Sequence, residues 1–187
     1  MKNKLKVVAL LAGTLLVNST YVHAEESFAG WLFSIWRTKE IRPVDNQQYQ
    51  DECGECHFAY QPGLLTTKSW EKLLTADALK DHFGDNAEID KDTLKIIHAY
   101  ALDNAADKSY YKRARKIAAT TDAATAPLRI TALRYIERKH KGIPEKMVKG
   151  NTGVKSLSYC DKCHTQADQG VYDEDTVSIP NFPDWED

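Results

Sequence analysis

Cys53-Gly54-Glu55-Cys56-His57 and Cys160-Asp161-Lys162-Cys163-His164 share one spacing, and together they consume all four cysteines of the chain. Cys-x-x-Cys-His is the attachment signature of a c-type haem. In a helical turn the two cysteines face the same way as the histidine, so both thiols reach the porphyrin vinyls while the imidazole meets the iron. The pair of motifs therefore predicts two haem c groups, anchored covalently by Cys53, Cys56, Cys160 and Cys163, with His57 and His164 as proximal iron ligands. A zinc ribbon would need its Cys pairs far closer than roughly a hundred residues and would leave both trailing histidines unexplained. Redox-active disulfides leave the same histidines unexplained, and no strand-then-helix thioredoxin pattern surrounds either pair.

Lys2, Lys4 and Lys6 precede an apolar run from Val7 to Val17, and Val22-His23-Ala24 has the small-residue form of a cleavage site. Residues 1–24 thus read as a secretory signal peptide, with an uncleaved anchor as the alternative, and the expected location is the periplasm. The run is short for a bilayer span and no later segment is apolar enough, so no stable membrane insertion is expected after cleavage. Loss of the three leader lysines takes 25 basic residues to 22, against 27 acidic ones, a formal charge of −5. That balance argues against nucleic acid as a partner. Basic residues gather at 112–116 and 134–141 while 168–187 is acidic. The pattern reads either as solvated faces or as an electrostatic docking surface for a redox partner.

The expected fold is mainly α. A helix over 46–60 would carry the first motif on its C-terminal half and break at Gln61-Pro62-Gly63, a turn near enough to His57 to offer its ring a carbonyl. Residues 69–83 read as helical with a break near 75–77 and a stop at Gly84. Asp90 caps a helix over 91–105 with a Leu94, Ile97, His98 and Ala101 stripe. Helices are also expected over 110–119, over 130–140 and, around the second motif, over 156–164, followed by an irregular tail. The aromatic run Trp31 to Trp36 suits packing across a finished core. The two halves do not resemble each other, which predicts an N-terminal haem domain over 25–105, a connecting excursion over 106–127 and a smaller, irregular C-terminal haem domain over 128–187. The 37 residues after Gly150 cannot bury a conventional core unaided, so a porphyrin must supply most of that interior.

An electron-transfer haem takes two strong axial ligands, usually His with Met or a second His. Beyond the leader there is one methionine, Met147, so two His/Met sites are excluded by composition. His82, His98 and His140 remain for two sixth positions. His82 sits beside Phe83 just before a glycine, and His140 ends an apolar face twenty residues before Cys160, so these two are the favoured distal ligands. His98, on an apolar stripe, reads as a core histidine. Whether His82 serves the first iron and His140 the second, or the reverse, stays open.

The ordered set Glu52 to His57, Pro62-Gly63-Leu64-Leu65, Trp70, His82-Phe83-Gly84, Ile130-Thr131, His140, Cys160 to Thr165, Ala167, Gly170 and Ile179-Pro180 resembles the dihaem cytochrome c family of proteobacteria. The resemblance spans nearly the whole chain after the leader; the stretch 107–127 is the part it does not place. It implies two covalently held haems, each bound by two histidines, with His82 and His140 matching the family's extra histidines. It also implies an N-terminal domain like a class I cytochrome c and a C-terminal domain poor in regular structure. The implied role is electron transfer between a membrane cytochrome b and a soluble, oxygen-binding haem protein, and not an enzyme activity. The rival readings, a peroxidase-like dihaem enzyme or a gas-binding haem protein, both require one open iron site.

Overall fold

Asn46 starts the first helix by accepting the Tyr49 N–H on its side chain at 2.9 Å, and α1 runs Gln47–Gly54. The computed structural model describes residues 40–185, which lie within one compact unit, Ser34–Asp187. The expected signal peptide and the Trp31–Trp36 run fall outside the described residues. The first helix is shorter than expected. It ends at Gly54, so Cys53 occupies its last turn while Cys56 and His57 stand in the loop beyond.

Pro62 then opens a 3-10 turn, Pro62–Leu64, whose first carbonyl receives the Trp70 indole N–H at 2.8 Å. Gly63 is required here, because a Cβ would lie 2.9 Å from Ile41 Cγ2. Thr66 caps α2, Thr67–Leu73, and Thr75 caps α3, Ala76–Lys80, by accepting the Ala78 N–H at 3.1 Å. The second threonine cap is the physical cause of the break expected at 75–77. The helix stops at Lys80, four residues before Gly84. Phe83 and Gly84 instead form a tight turn with φ of 59° and 108°, closed by the His82 N–H on the Asp85 carbonyl at 2.7 Å. Both central residues are left-handed, as in a type I′ turn.

Asp90 caps α4, Lys91–Asp103, accepting from the Asp92 and Thr93 N–H groups. α4 lies against α1 and α2, with Ile97 and Ala101 fully buried and Tyr100 5.2 Å from the Tyr49 ring. The stretch expected as a connecting excursion, 106–127, feeds the larger apolar core. Ala106 is buried there, and α5, Lys112–Thr120, adds Ala114 and Ile117. That cluster runs on to Leu133 and Tyr135 at the start of α6, Arg134–His140, which packs on α5. Burial of the Ala114 and Ile117 face, one helical turn apart, draws this basic segment inward while its charges stay outside.

After α6 the chain has little regular structure. A four-residue helix, α7, Glu145–Val148, supplies Met147 and Val148 to a second, smaller cluster with Val154 and Ile179. Asn151, 3% exposed, organises it: its amide donates to the Met147 and Pro180 carbonyls, and its oxygen accepts from the Gly153 N–H and the Asn181 side chain. The helix expected over 156–164 is absent; only a 3-10 turn, Cys160–Lys162, forms. Ser156 there spends its side chain on the Ser158 N–H at 3.2 Å, the local bond that draws serine out of helices. The tail folds back to the start of the described chain, where the Ile41 N–H donates to the Gly170 carbonyl at 3.1 Å. Among the described residues there are isolated bridges but no strand.

Candidate haem sites

Four imidazoles meet in two pairs, in chain order and not crossed. The His57 and His82 rings lie 6.2 Å apart, centre to centre, with planes 21° apart. The His140 and His164 rings lie 6.1 Å apart, with planes at 77°. An iron with an imidazole nitrogen roughly 2 Å away on each side, and each ring centre roughly 1 Å farther on, sets two such rings about 6 Å apart. Both separations fit a haem iron between the rings.

Each ring is aimed by a different device. Local chain geometry directs His57, whose Nδ1 donates to the Phe58 carbonyl at 2.8 Å; this is the next residue, not the 61–63 turn expected from sequence. His140 ends α6 and its Nδ1 donates to the Ile136 carbonyl at 2.8 Å. In both, the hydrogen bond fixes the tautomer that leaves Nε2 free for a metal. His82 is presented by the Phe83-Gly84 turn, and His164 by its N–H bond to the Cys160 carbonyl and the bridge to Val177. The Nδ1 atoms of His82 and His164 are buried and make no hydrogen bond to the protein.

Burial, and then the facing His57 and nearby Arg129, lower the pKa of His82. Burial, His140 and Arg113 push His164 down to about 4. Both rings are therefore neutral at neutral pH, the state a metal requires. Burial pushes the Cys53 and Cys160 thiols up to about 12. Two thiols held protonated in this way are poor redox nucleophiles, which disfavours the disulfide reading. Among the described residues no three His, Cys, Asp or Glu side chains gather as around a zinc ion.

One cavity of about 890 Å³ is lined by both imidazole pairs and all four cysteines. Its walls include Leu64, Leu74, Leu79 and Trp70 beside the first pair, and Ile143, Met147 and Val154 beside the second. A flat apolar macrocycle at each site would meet apolar side chains along its faces, and the chemistry of the donor set suits iron porphyrin at both. Met147 is 7% exposed within the smaller cluster, and His98 is half-buried outside the cavity. Sequence reasoning missed Tyr60, Gln61 and Tyr172, which pack against or between the two sites. The only signal available was the position of Tyr60, three residues after His57.

A helical chain with two Cys-x-x-Cys-His turns, each facing a second histidine across one shared cavity, has the plan of a multihaem c-type cytochrome. The profile of the dihaem cytochrome c family matches residues 49–172. The chain is similar to a diheme cytochrome c of Shewanella baltica OS155, at 36% identity over 76% of this chain and 99% of that one, with a TM-score of 0.62. A diheme cytochrome c from Rhodobacter sphaeroides is 34% identical over 71% of this chain and 99% of its own, with a TM-score of 0.60. No protein of curated function matches in sequence. The chain belongs to the dihaem cytochrome c family, and its cofactors are two haem c groups.

Proposed function

We propose that this chain is a periplasmic electron carrier, not an enzyme, in which His57 with His82 would hold one haem iron and His164 with His140 the other. Cys53 and Cys56 tether one haem and Cys160 and Cys163 the other. The observation that carries the reading is the pair of ring separations, 6.2 and 6.1 Å, because an iron bound between two such rings would have an imidazole on each side and no position open to a substrate. When bound, each haem supplies a one-electron iron couple.

The chain's own part is to hold the imidazoles still and keep water away. The carbonyls of Phe58 and Ile136 accept from His57 and His140, which makes those rings more basic and favours the more highly charged metal. With an imidazole and not a methionine as the second ligand at each iron, two low potentials are expected. The leader at 1–24 supports the periplasmic location, and the absence among the described residues of any helix able to cross a membrane is consistent with it. A membrane cytochrome b as donor and a soluble haem protein as acceptor are the proposed partners. The packing of α5 on α6 supports a docking face, since exposed Arg115, Arg134 and Arg138 stand on those two helices.

A potentiometric titration with optical spectra tests the proposal. Two low-spin centres that bind no carbon monoxide are expected. A high-spin ferric centre, or a carbon monoxide adduct, would instead assign one open iron and favour a peroxidase-like or gas-binding role.

A further inference from the structure

Two tyrosines cross between the haem sites. The Tyr60 ring lies 5.1 Å from the His57 ring at the first site, yet its hydroxyl donates to the carbonyl of Ser158, two residues before Cys160 at the second. The Tyr172 ring lies 5.1 Å from the His164 ring at the second site, yet its hydroxyl donates at 2.5 Å to Gln61 Oε1, four residues after His57. Gln61 is fully buried and completes the link by donating from Nε2 to the Ala167 carbonyl at 2.5 Å. Each ring thus rests on one proximal imidazole while its hydroxyl is bonded to the segment that carries the other.

We propose that Tyr60 and Tyr172 are positioning residues that lock each proximal imidazole to the opposite attachment segment, so that the two irons' ligand geometries, and with them their potentials, are set jointly. The inference rests on the bis-histidine reading above. Two features support it. The Tyr60 backbone is itself fixed, its carbonyl accepting from the buried Tyr49 hydroxyl at 2.7 Å. Tyr172 is fixed likewise, its N–H donating to Glu40 Oε2 at 2.8 Å. The Tyr60 and Tyr172 hydroxyls and the Gln61 amide are each hydrogen-bonded, and polar groups paired in this way hold their segments more rigidly than loose packing does.

The test is Tyr60→Phe and Tyr172→Phe in the protein with both haems attached. Each variant keeps the ring on its imidazole and deletes only the link to the other site. The two sites can be told apart by ferric EPR, since near-parallel and near-perpendicular imidazole planes give low-spin signals of different shape. Tyr60→Phe is expected to shift the signal and midpoint potential of the His140/His164 site, and Tyr172→Phe those of the His57/His82 site. Changes confined to the site whose imidazole the ring touches, or no change at either, overturn the inference. If a phenylalanine variant does not accumulate with two haems, fluorotyrosine at the same position keeps the bond and strengthens the donor. A shift at the opposite site then supports the inference and none overturns it. Wild-type protein lacking two low-spin signals would overturn the bis-histidine reading along with it.

Discussion

The His140 imidazole faces that of His164 with the two ring planes 77° apart, while His57 and His82 face each other at only 21°. On the proposed bis-histidine ligation the two sites would differ in electronic symmetry, because the relative orientation of two imidazole planes decides how π-donating ligands split an iron's orbitals. Frozen-solution EPR of the oxidised protein should show two distinct low-spin ferric signals of equal weight, one rhombic and one strongly anisotropic. Two identical signals would contradict the ring geometry.

His140→Ala tests the second site directly. The ring sits at the end of α6 with its Nδ1 on the Ile136 carbonyl, and removing it takes away the only imidazole facing His164 among the described residues. One haem should turn high-spin and bind carbon monoxide, while mass spectrometry still counts two covalent haems, because Cys160 and Cys163 are untouched. The remaining low-spin EPR signal should be the rhombic one.

The ends of several elements were legible in the sequence because they rest on local chemistry. Asp90 and Thr75 cap helices through bonds to residues two or three positions on, and such bonds are written within a few letters. The second motif reads as a helix in the sequence yet forms only a 3-10 turn, since its Cys and His spacing suits a helical turn equally well when only one turn exists. There His164 N–H reaches the Cys160 carbonyl at 2.9 Å, and the polar Ser156 and Ser158 keep that turn from propagating upstream. The crossing tyrosines were illegible for a different reason. Tyr60 meets Ser158 across 98 positions and Tyr172 meets Gln61 across 111, and no periodicity encodes a partner at that distance. The inward turn of 106–127 was masked by its basic residues, which outnumber the two side chains, Ala114 and Ile117, that decide its packing.

Gly170→Ala should be among the most damaging single substitutions away from the irons. Gly170 adopts φ of 73°, and a Cβ there would lie 2.1 Å from the Ile41 carbonyl oxygen, which is backbone and has no rotamer to yield. The left-handed conformation and the forced separation of the tail from Ile41 together are expected to cost roughly 3 kcal/mol or more in chemical denaturation of the haem-loaded protein. Gly84→Ala, also left-handed but with no atom within 4 Å of the added methyl, should cost only about 1 kcal/mol.

Asn151→Ala removes four hydrogen bonds from the smaller cluster and leaves the Gly153 N–H and the Pro180 carbonyl without their partner. A loss of about 2–3 kcal/mol is expected. Because Met147, Val148, Val154 and Ile179 surround this residue and line or flank the second site, the loss should be uneven. Hydrogen exchange should rise over 147–182 while α1, α2 and α4 keep their protection.

Glu40 should impose a pH dependence of its own. Burial and the neighbouring Asp173 carboxylate raise its pKa above the ordinary 4.5, outweighing the Tyr172 N–H and the Arg113 guanidinium, which act the other way. The folded protein therefore holds this proton more tightly than the unfolded chain does. The resulting stability is fully present below the unfolded value and is lost as pH rises through the raised folded value. Wild-type protein should lose denaturation free energy as pH rises above the ordinary carboxylate value of 4.5, and Glu40→Gln, which keeps an acceptor for the Tyr172 N–H, should flatten that slope. Equal slopes in the two proteins would mean that Arg113, 3.9 Å from Glu40 Oε2 through its Nε, holds the carboxylate ionised throughout.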